Sequence, residues 1–194
     1  MGGGQRESSP RDLHHSCDPA SAGWLLIVPK QNHKPYASAS NLSALRMARL
    51  LIVEDDELSR DIATRWLARH GYSNVDSVAV GKAGLETCVV DPPDILILDH
   101  SLPDLSGLAI AEYLCVNFKR EERPWIVLFT AAADTTIMRL MSTGYFDDLL
   151  RKPCVSEDYI AALARAHVGL RERRNFAEKH AVLSANSSSS ALHM

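Results

Sequence analysis

Short apolar runs alternate with helix-length segments from residue 50 to residue 168 of this chain. A continuous apolar run of this length is typical of a strand buried on both faces, and such strands separated by helices are typical of a parallel sheet. The predicted strands are residues 50–53, 75–80, 95–98, 125–129 and 148–150. The alternation predicts an α/β fold in which a doubly wound, five-stranded parallel sheet carries helices on both faces.

Helical spacing predicts which side of each intervening segment faces the sheet. Leu58, Ile62 and Trp66 follow a four-residue spacing, which predicts the buried face of the first helix. Gly71 follows this pattern directly and predicts the left-handed residue that ends the helix. The later helices are predicted at residues 82–90, 107–117 and 135–142, with a fifth beginning at Ser156.

The two ends of the chain lack the periodicity of its middle. Residues 1–46 are rich in Gly, Ser, Pro and His and are predicted to be a disordered extension. This extension is either native or a start-site or expression artefact, in which case Met47 is the native start. Gly169 interrupts the pattern of the fifth helix, so we expect residues 169–194 to form a frayed helical extension and a disordered tail, with a short coiled coil as the alternative. The predicted domain is therefore residues 47–168.

Composition narrows the class of protein. The 194 residues include 46% apolar side chains, which suffices for a globular core, and the net charge of −3 gives no electrostatic reason to expect nucleic-acid binding. The four cysteines show neither metal nor disulfide spacing, so we expect a reduced, cytoplasmic protein. The longest amino-terminal apolar run, residues 24–28, is too short to span a membrane, and we expect no membrane partner.

Polar side chains follow four of the predicted strands where each strand ends. They are Glu54, Asp55, Asp99, Thr130 and Lys152. The carboxyl ends of strands in an open parallel sheet meet at one crevice, so we expect carboxylates, a hydroxyl and an ammonium group to converge there. Repulsion between close carboxylates costs roughly 4 kcal/mol per pair at an effective dielectric constant of about 20, and a bound cation offsets it. Oxygen ligands beside a phosphate favour Mg²⁺.

The carboxylates at this crevice have distinct predicted roles. Asp55 and Asp99 are predicted to bind Mg²⁺ directly, Glu54 through a water molecule, and Ser101 through its backbone carbonyl oxygen. Asp99 is also the predicted nucleophile, because a carboxylate can attack phosphorus to form an aspartyl phosphate.

The remaining two side chains are predicted to bind the phosphoryl group. Lys152 supplies positive charge, and the hydroxyl of Thr130 donates to a phosphoryl oxygen. Taken alone, Lys152 is more simply explained as a solvated surface charge, and Thr130 as a strand-end residue that bonds its own backbone. The prediction therefore depends on the occurrence of both residues together with the carboxylates, in this order along the chain.

These residues and their spacing resemble the response-regulator receiver domain of two-component signalling. The resemblance covers about residues 48–168 and rests on four strings, including one in which Asp99, Pro103 and Gly107 are each separated by three residues. The other strings are residues 51–56, 129–131 and 150–153. The resemblance implies strand order 2-1-3-4-5, and it implies that a histidine kinase or a histidine phosphotransfer protein donates a phosphoryl group to Asp99.

One position departs from the receiver pattern. Receivers usually carry Tyr or Phe three residues before the lysine, where the ring turns inward on phosphorylation, and here that position is Leu149. We therefore expect the signal to pass through Thr130 and the loop after it, without a ring flip. Ser101 and Ala132 flank the expected phosphoryl position, and neither has a carboxylate or amide to hold an attacking water, which predicts slow self-dephosphorylation.

The predicted function is a phosphorylation-dependent switch that acts through an unidentified downstream protein. The alternative is a phosphorelay intermediate or phosphate sink without its own output. An aspartate-nucleophile phosphohydrolase is disfavoured because Ser101 stands where that chemistry needs a second acid, so no activity is expected beyond the chain's own phosphorylation and dephosphorylation. We expect a monomer, or a weak homodimer through the fourth helix, fifth strand and fifth helix. Acidic residues interleave the basic residues after 170, so no nucleic-acid partner is expected.

Overall fold

The computed structural model describes residues 46–190, and side chains as far as residue 181. Its parallel strands form one five-stranded sheet with the order β2-β1-β3-β4-β5, which confirms the predicted doubly wound topology. The strands are β1 (Leu50–Val53), β2 (Val75–Val78), β3 (Ile95–Asp99), β4 (Trp125–Thr130) and β5 (Asp148–Arg151). β2 ends two residues earlier than predicted, and each of the last three strands extends one residue further.

Helices connect the strands and cover both faces of the sheet. They are α1 (Glu57–Arg69), α2 (Gly81–Val90), α3 (Gly107–Asn117), α4 (Asp134–Ser142) and α5 (Ser156–Ser190). Asp56 begins α1 because its carboxylate accepts a hydrogen bond from the backbone N–H of Ser59 at 2.7 Å. Gly71, with φ +85°, follows the end of α1 as predicted. Among the described residues, no helix is long and apolar enough to cross a membrane.

Alternate residues of the central strands build a core on each face of the sheet. Leu50 and Ile52 of β1 pack with buried residues of α1 and α5. Leu51 and Val53 pack on the opposite face with buried residues of α2, α3 and α4. Because β1 and β3 are covered on both sides, every residue of these two strands is buried, which is why their sequences are continuous apolar runs.

The predicted buried face of α1 is wrong in its first half. Leu58 is 67% exposed and Ile62 is 36% exposed, whereas Ala63 and Leu67 are buried against the sheet. Both sets of residues have a four-residue spacing, and they lie one position apart along the helix. The sheet contacts the side that carries the small Ala63, so only Trp66 of the predicted set packs partly against the core.

The structure contains the helical extension expected after residue 168, but the predicted interruption at Gly169 is wrong, since α5 continues without a break to Ser190. A Cβ atom on Gly169 would lie 1.9 Å from the indole ring of Trp125, so the missing side chain lets α5 pass close over this ring. One turn later the guanidinium group of Arg173 lies 4.4 Å from the centre of the same ring. Gly169 therefore serves helix packing rather than helix termination.

Ion pairs hold α5 beside the amino ends of the strands. Asp147 pairs with Arg123 at 2.8 Å and also with Arg173, which is only 9% exposed. Arg174 pairs with Asp94 at 2.6 Å. Most described residues after 170 are exposed, as expected for a solvated extension, but its start is anchored because Arg173 and Arg174 bind carboxylates of the domain.

Candidate functional site

The carboxyl ends of β1 and β3 bring the predicted acidic residues together. Val53 pairs with Leu98, so Glu54 and Asp99 follow on adjacent strands. Both are buried, at 1% and 6% exposure, whereas Asp55 is exposed. One carboxylate oxygen from each of the three residues lies within 4.8 Å of the others. The crevice thus holds closely spaced negative charges of unequal exposure to water.

Lys152 places a positive charge among these carboxylates. Its Nζ atom lies 2.8 Å from Oδ2 of Asp99 and also forms an ion pair with Oε2 of Glu54. The backbone N–H of Lys152 donates to the carbonyl oxygen of Thr130 at 2.8 Å, which fixes the end of β5 beside β4. The peptide bond from Lys152 to Pro153 is cis.

These contacts shift the proton affinities of both partners. Burial opposes the charge of Lys152, yet hydrogen bonds to Asp99 and Glu54 outweigh it and raise the pKa of the ammonium group. Burial raises the pKa of Glu54, and the charge of Asp99 adds to this effect against the opposing hydrogen bond from Lys152. The ammonium group of Lys152 therefore remains charged at neutral pH. Burial makes the ionised form of Glu54 energetically unfavourable, and a second cation beside it would reduce this desolvation cost.

Thr130 lies on the strand next to the predicted nucleophile. Asp99 pairs with Phe129, so Thr130 is the next residue along β4, and it is 2% exposed. Its Oγ1 atom accepts a hydrogen bond from the backbone N–H of Ala132 at 3.1 Å. This bond uses the hydroxyl as an acceptor, so its hydrogen can still be donated to an incoming group.

Ser101 contacts the predicted nucleophile through its backbone. Its N–H donates to Oδ1 of Asp99 at 3.1 Å, and the residue itself is exposed. Metal binding by its carbonyl oxygen remains a prediction. The rest of the donor set fits Mg²⁺, because three carboxylates face one ammonium group and all the donor atoms are hard oxygens.

The loop after β3 contains supporting residues whose roles the sequence alone did not reveal. A Cβ atom on Gly107 would lie 2.2 Å from the carbonyl oxygen of Asp99, so a side chain there would displace the backbone of the nucleophile. Asp104 accepts hydrogen bonds from the backbone N–H groups of Gly81 and Lys82 at 2.7 and 2.9 Å. These bonds, the one from Lys82 above all, lower the pKa of Asp104 and join the loop to the start of α2.

Phe129 belongs to one of the strings that resemble the receiver family, but its contact with Lys152 was not predicted from the sequence. Its ring centre lies 4.5 Å from Nζ of Lys152, which places the ammonium group against an aromatic face. Phe129 is 5% exposed and ends an apolar run, so its sequence context indicates only a core residue. The feature of the sequence that could have indicated a role for Phe129 in the site is its position directly before Thr130.

Comparisons with known proteins agree with this geometry. Residues 50–164 match the family model described as the response regulator receiver domain. The aerobic respiration control sensor protein ArcB of Escherichia coli K12 is 38% identical over 104 residues, which cover 54% of this chain and 13% of that protein. The transcriptional regulatory protein CseB of Streptomyces coelicolor is 34% identical over 104 residues, which cover 54% of this chain and 42% of that protein. The chain thus spans less than half the length of both relatives.

Solved structures show the same fold. The chemotaxis response regulator CheY4 of Vibrio cholerae has a TM-score of 0.56 and 22% identity, over 62% of this chain and 98% of that chain. A response regulator receiver domain from Bermanella marisrubri has a TM-score of 0.55 and 25% identity, over 62% of this chain and 98% of that chain. Given the family match, the strand order and the acidic crevice, the chain belongs to the family of response regulator receiver domains.

Proposed function

We propose that the chain accepts a phosphoryl group on Asp99 from a histidine kinase or a histidine phosphotransfer protein, and then signals through a protein partner. The observation that carries this proposal is the setting of Asp99. Its carboxylate is buried, and Oδ2 lies 2.8 Å from Nζ of Lys152. One of its oxygens also lies within 4.8 Å of an oxygen of each of two further carboxylates. A buried nucleophile between a lysine and a cation-binding group suits phosphoryl transfer, where charge neutralisation and positioning supply most of the catalysis.

In this mechanism a carboxylate oxygen of Asp99 attacks phosphorus. A new P–O bond forms as the P–N bond of the phosphohistidine donor breaks, and the electron pair of that bond leaves with the imidazole nitrogen. Lys152 and the hydroxyl of Thr130 bind phosphoryl oxygens as negative charge builds up on them. The N–H of Ser101 holds the carboxylate in place through Oδ1. Mg²⁺, when held by Glu54, Asp55, Asp99 and the Ser101 carbonyl oxygen, supplies further neutralisation of the transferred group.

We propose that this chemistry serves signalling rather than turnover of an outside substrate. Ser101, exposed beside Asp99, has no carboxyl group to act as a second acid for a phosphohydrolase. The role of relay or phosphate sink remains the alternative. A relay intermediate differs from a switch in passing the phosphoryl group onward to a second histidine.

The proposed assembly is a monomer or a weak homodimer through α4, β5 and α5, in the cytoplasm. Arg151 of β5 already pairs with Asp134 of α4, and Arg165 of α5 pairs with Asp148 at 2.8 Å. Charges that are already paired within the chain offer little to a tight dimer. Three described cysteines are free thiols, which supports a reducing compartment. We propose no nucleic-acid partner, since the positive charge of α5 is partly neutralised by Asp94 and Asp147.

The test is labelling by acetyl phosphate in the presence of Mg²⁺, measured by intact mass. We expect the wild-type chain to gain one phosphoryl group, and Asp99→Ala to gain none. Asp61→Ala is the matched control, because it also removes a carboxylate but only from an exposed ion pair with Arg65. Equal labelling of wild type and Asp99→Ala would refute the proposal.

A further inference from the structure

Three aromatic rings connect the site with the surface of α1. The rings of Phe129 and Tyr159 meet edge to face, with centres 5.4 Å apart, and those of Tyr159 and Trp66 do so at 5.8 Å. We call Phe129, Tyr159 and Trp66 the aromatic stack. Lys152 contacts the first ring of the stack, because its Nζ atom lies 4.5 Å from the centre of Phe129. A continuous series of contacts thus runs from the ammonium group to α1.

Lys152 binds the carboxylate of Asp99 directly, so its contacts change when Asp99 is modified. In the structure its ammonium group binds both Asp99 and Glu54. A phosphoryl group on Asp99 would present new anionic oxygens to the ammonium group, and a cation at the carboxylates would compete for Glu54. Any shift of Nζ changes its contact with Phe129, since the attraction between a cation and a ring depends on their distance and geometry.

Tyr159 is able to respond to such a change. It is 1% exposed, and its hydroxyl has no hydrogen-bond partner among the described residues. A buried hydroxyl without a partner is unfavourable, so a rearrangement that pairs it is favoured. Burial raises the pKa of Tyr159, with Cys154, Glu54 and Asp99 adding to the effect, so the hydroxyl remains neutral and the site's charges act on it.

The position that receivers normally use for a switching ring lacks one here. Leu149 is half-buried and packs with the core on the face opposite the aromatic stack. The ring of nearby Tyr145 packs partly against the same core as Leu149, and its hydroxyl donates to Glu112 at 3.4 Å. Aromatic contact with the lysine is therefore found on the α1 and α5 face, at Phe129.

We propose that phosphorylation of Asp99 is reported through Lys152 along the aromatic stack to Trp66, on the α1 and α5 face of the sheet. This inference rests on the proposed phosphorylation. It differs from the route expected from the sequence, which runs through Thr130 and the following loop. Tyr159 transmits the change and contacts none of the reacting atoms.

The experiment uses the full chain with Mg²⁺ and beryllofluoride, an analogue of the phosphoryl group, and records tryptophan fluorescence. We expect an emission change in wild type that is lost in Trp66→Phe and kept in Trp125→Phe, whose ring packs on Gly169. Tyr159→Leu should be labelled by acetyl phosphate but lose the emission change. Tyr159→Phe, which keeps the ring but lacks the unpaired hydroxyl, should show a smaller change than wild type. Leu149→Ala is the matched control on the opposite face, and should show the full change.

Several results would overturn the inference. An emission change that persists in Trp66→Phe would exclude Trp66 as its source, and a full change in folded Tyr159→Leu would exclude the stack as its route. Hydrogen exchange on wild type needs no variant: beryllofluoride should alter amide exchange in α1 and α5, and a change confined to α4 and its flanking loops would refute the route. Failure of wild type to be labelled by acetyl phosphate would instead refute the proposed function, and the inference with it.

Discussion

Gly169→Ala should destabilise the domain, although alanine favours helices. Gly169 lies inside α5, where intrinsic propensity alone predicts that alanine stabilises by about 1 kcal/mol. The structure predicts the opposite sign, because a Cβ atom at this position would lie 1.9 and 2.0 Å from two atoms of the Trp125 ring. Ordinary contacts between carbon atoms are about 3.5–4.0 Å, so the ring or the helix must move.

Either movement has a cost that exceeds the gain in propensity. Overpacking of this kind costs about 1–3 kcal/mol. Displacing Trp125 also weakens its contact with Arg173, at 4.4 Å, and an interaction of that type contributes about 0.5–2 kcal/mol. After subtracting the gain from alanine, we expect the free energy of unfolding to fall by about 0.5–4 kcal/mol.

Urea denaturation followed by circular dichroism measures this change. In a Trp125→Ala background the obstructing ring is absent, so Gly169→Ala should there stabilise the domain, reversing its sign. This double-mutant cycle isolates the contact from the general effect of the substitution. A Gly169→Ala single variant that is more stable than wild type would refute the packing explanation for the continuous helix.

Three further predictions concern the site. Gly107→Ala should reduce acetyl phosphate labelling more than tenfold, because its Cβ atom would displace the backbone of Asp99; full labelling would contradict this. Mg²⁺ affinity, measured by titration, should fall as the pH falls through the pKa of Glu54, which lies above 4.5, because the carboxyl group gains a proton that competes with the cation. The contribution of protonated Glu54 to stability has the opposite pH dependence: it is present below pH 4.5 and is lost as the pH rises through the raised pKa, and Glu54→Gln should flatten both profiles. Ala132→Glu should shorten the phosphoryl lifetime by placing a carboxylate to hold water, and an unchanged lifetime would count against the predicted slow self-dephosphorylation.

The sheet and the main site residues could be predicted because local pattern and topology determine them. Apolar runs indicate β1, β3 and β4, and parallel strands necessarily bring their carboxyl ends together, so the sequence alone predicts that Glu54 and Asp99 lie side by side. The roles assigned to these residues remain predictions, as do the boundaries at residues 47 and 168.

The errors arise where tertiary contacts decide between local alternatives. Leu58 and Ala63 both fit a helical period, and only the position of the sheet determines which side is buried. Gly169 resembles a helix stop until Trp125, distant in sequence, is placed against it. Arg173 resembles a solvated charge until Asp147 is found beside it. Long-range contacts of this kind leave no periodic signal in the sequence.

Localising the phosphoryl group after treatment with acetyl phosphate and Mg²⁺ tests the central claim most directly. Borohydride converts an aspartyl phosphate to homoserine, which tandem mass spectrometry identifies by position. We predict homoserine at residue 99 alone, dependent on Mg²⁺ and absent from Lys152→Ala, which removes the ammonium group 2.8 Å from the carboxylate. Homoserine at another aspartate, or none at residue 99 in wild type, would contradict the account.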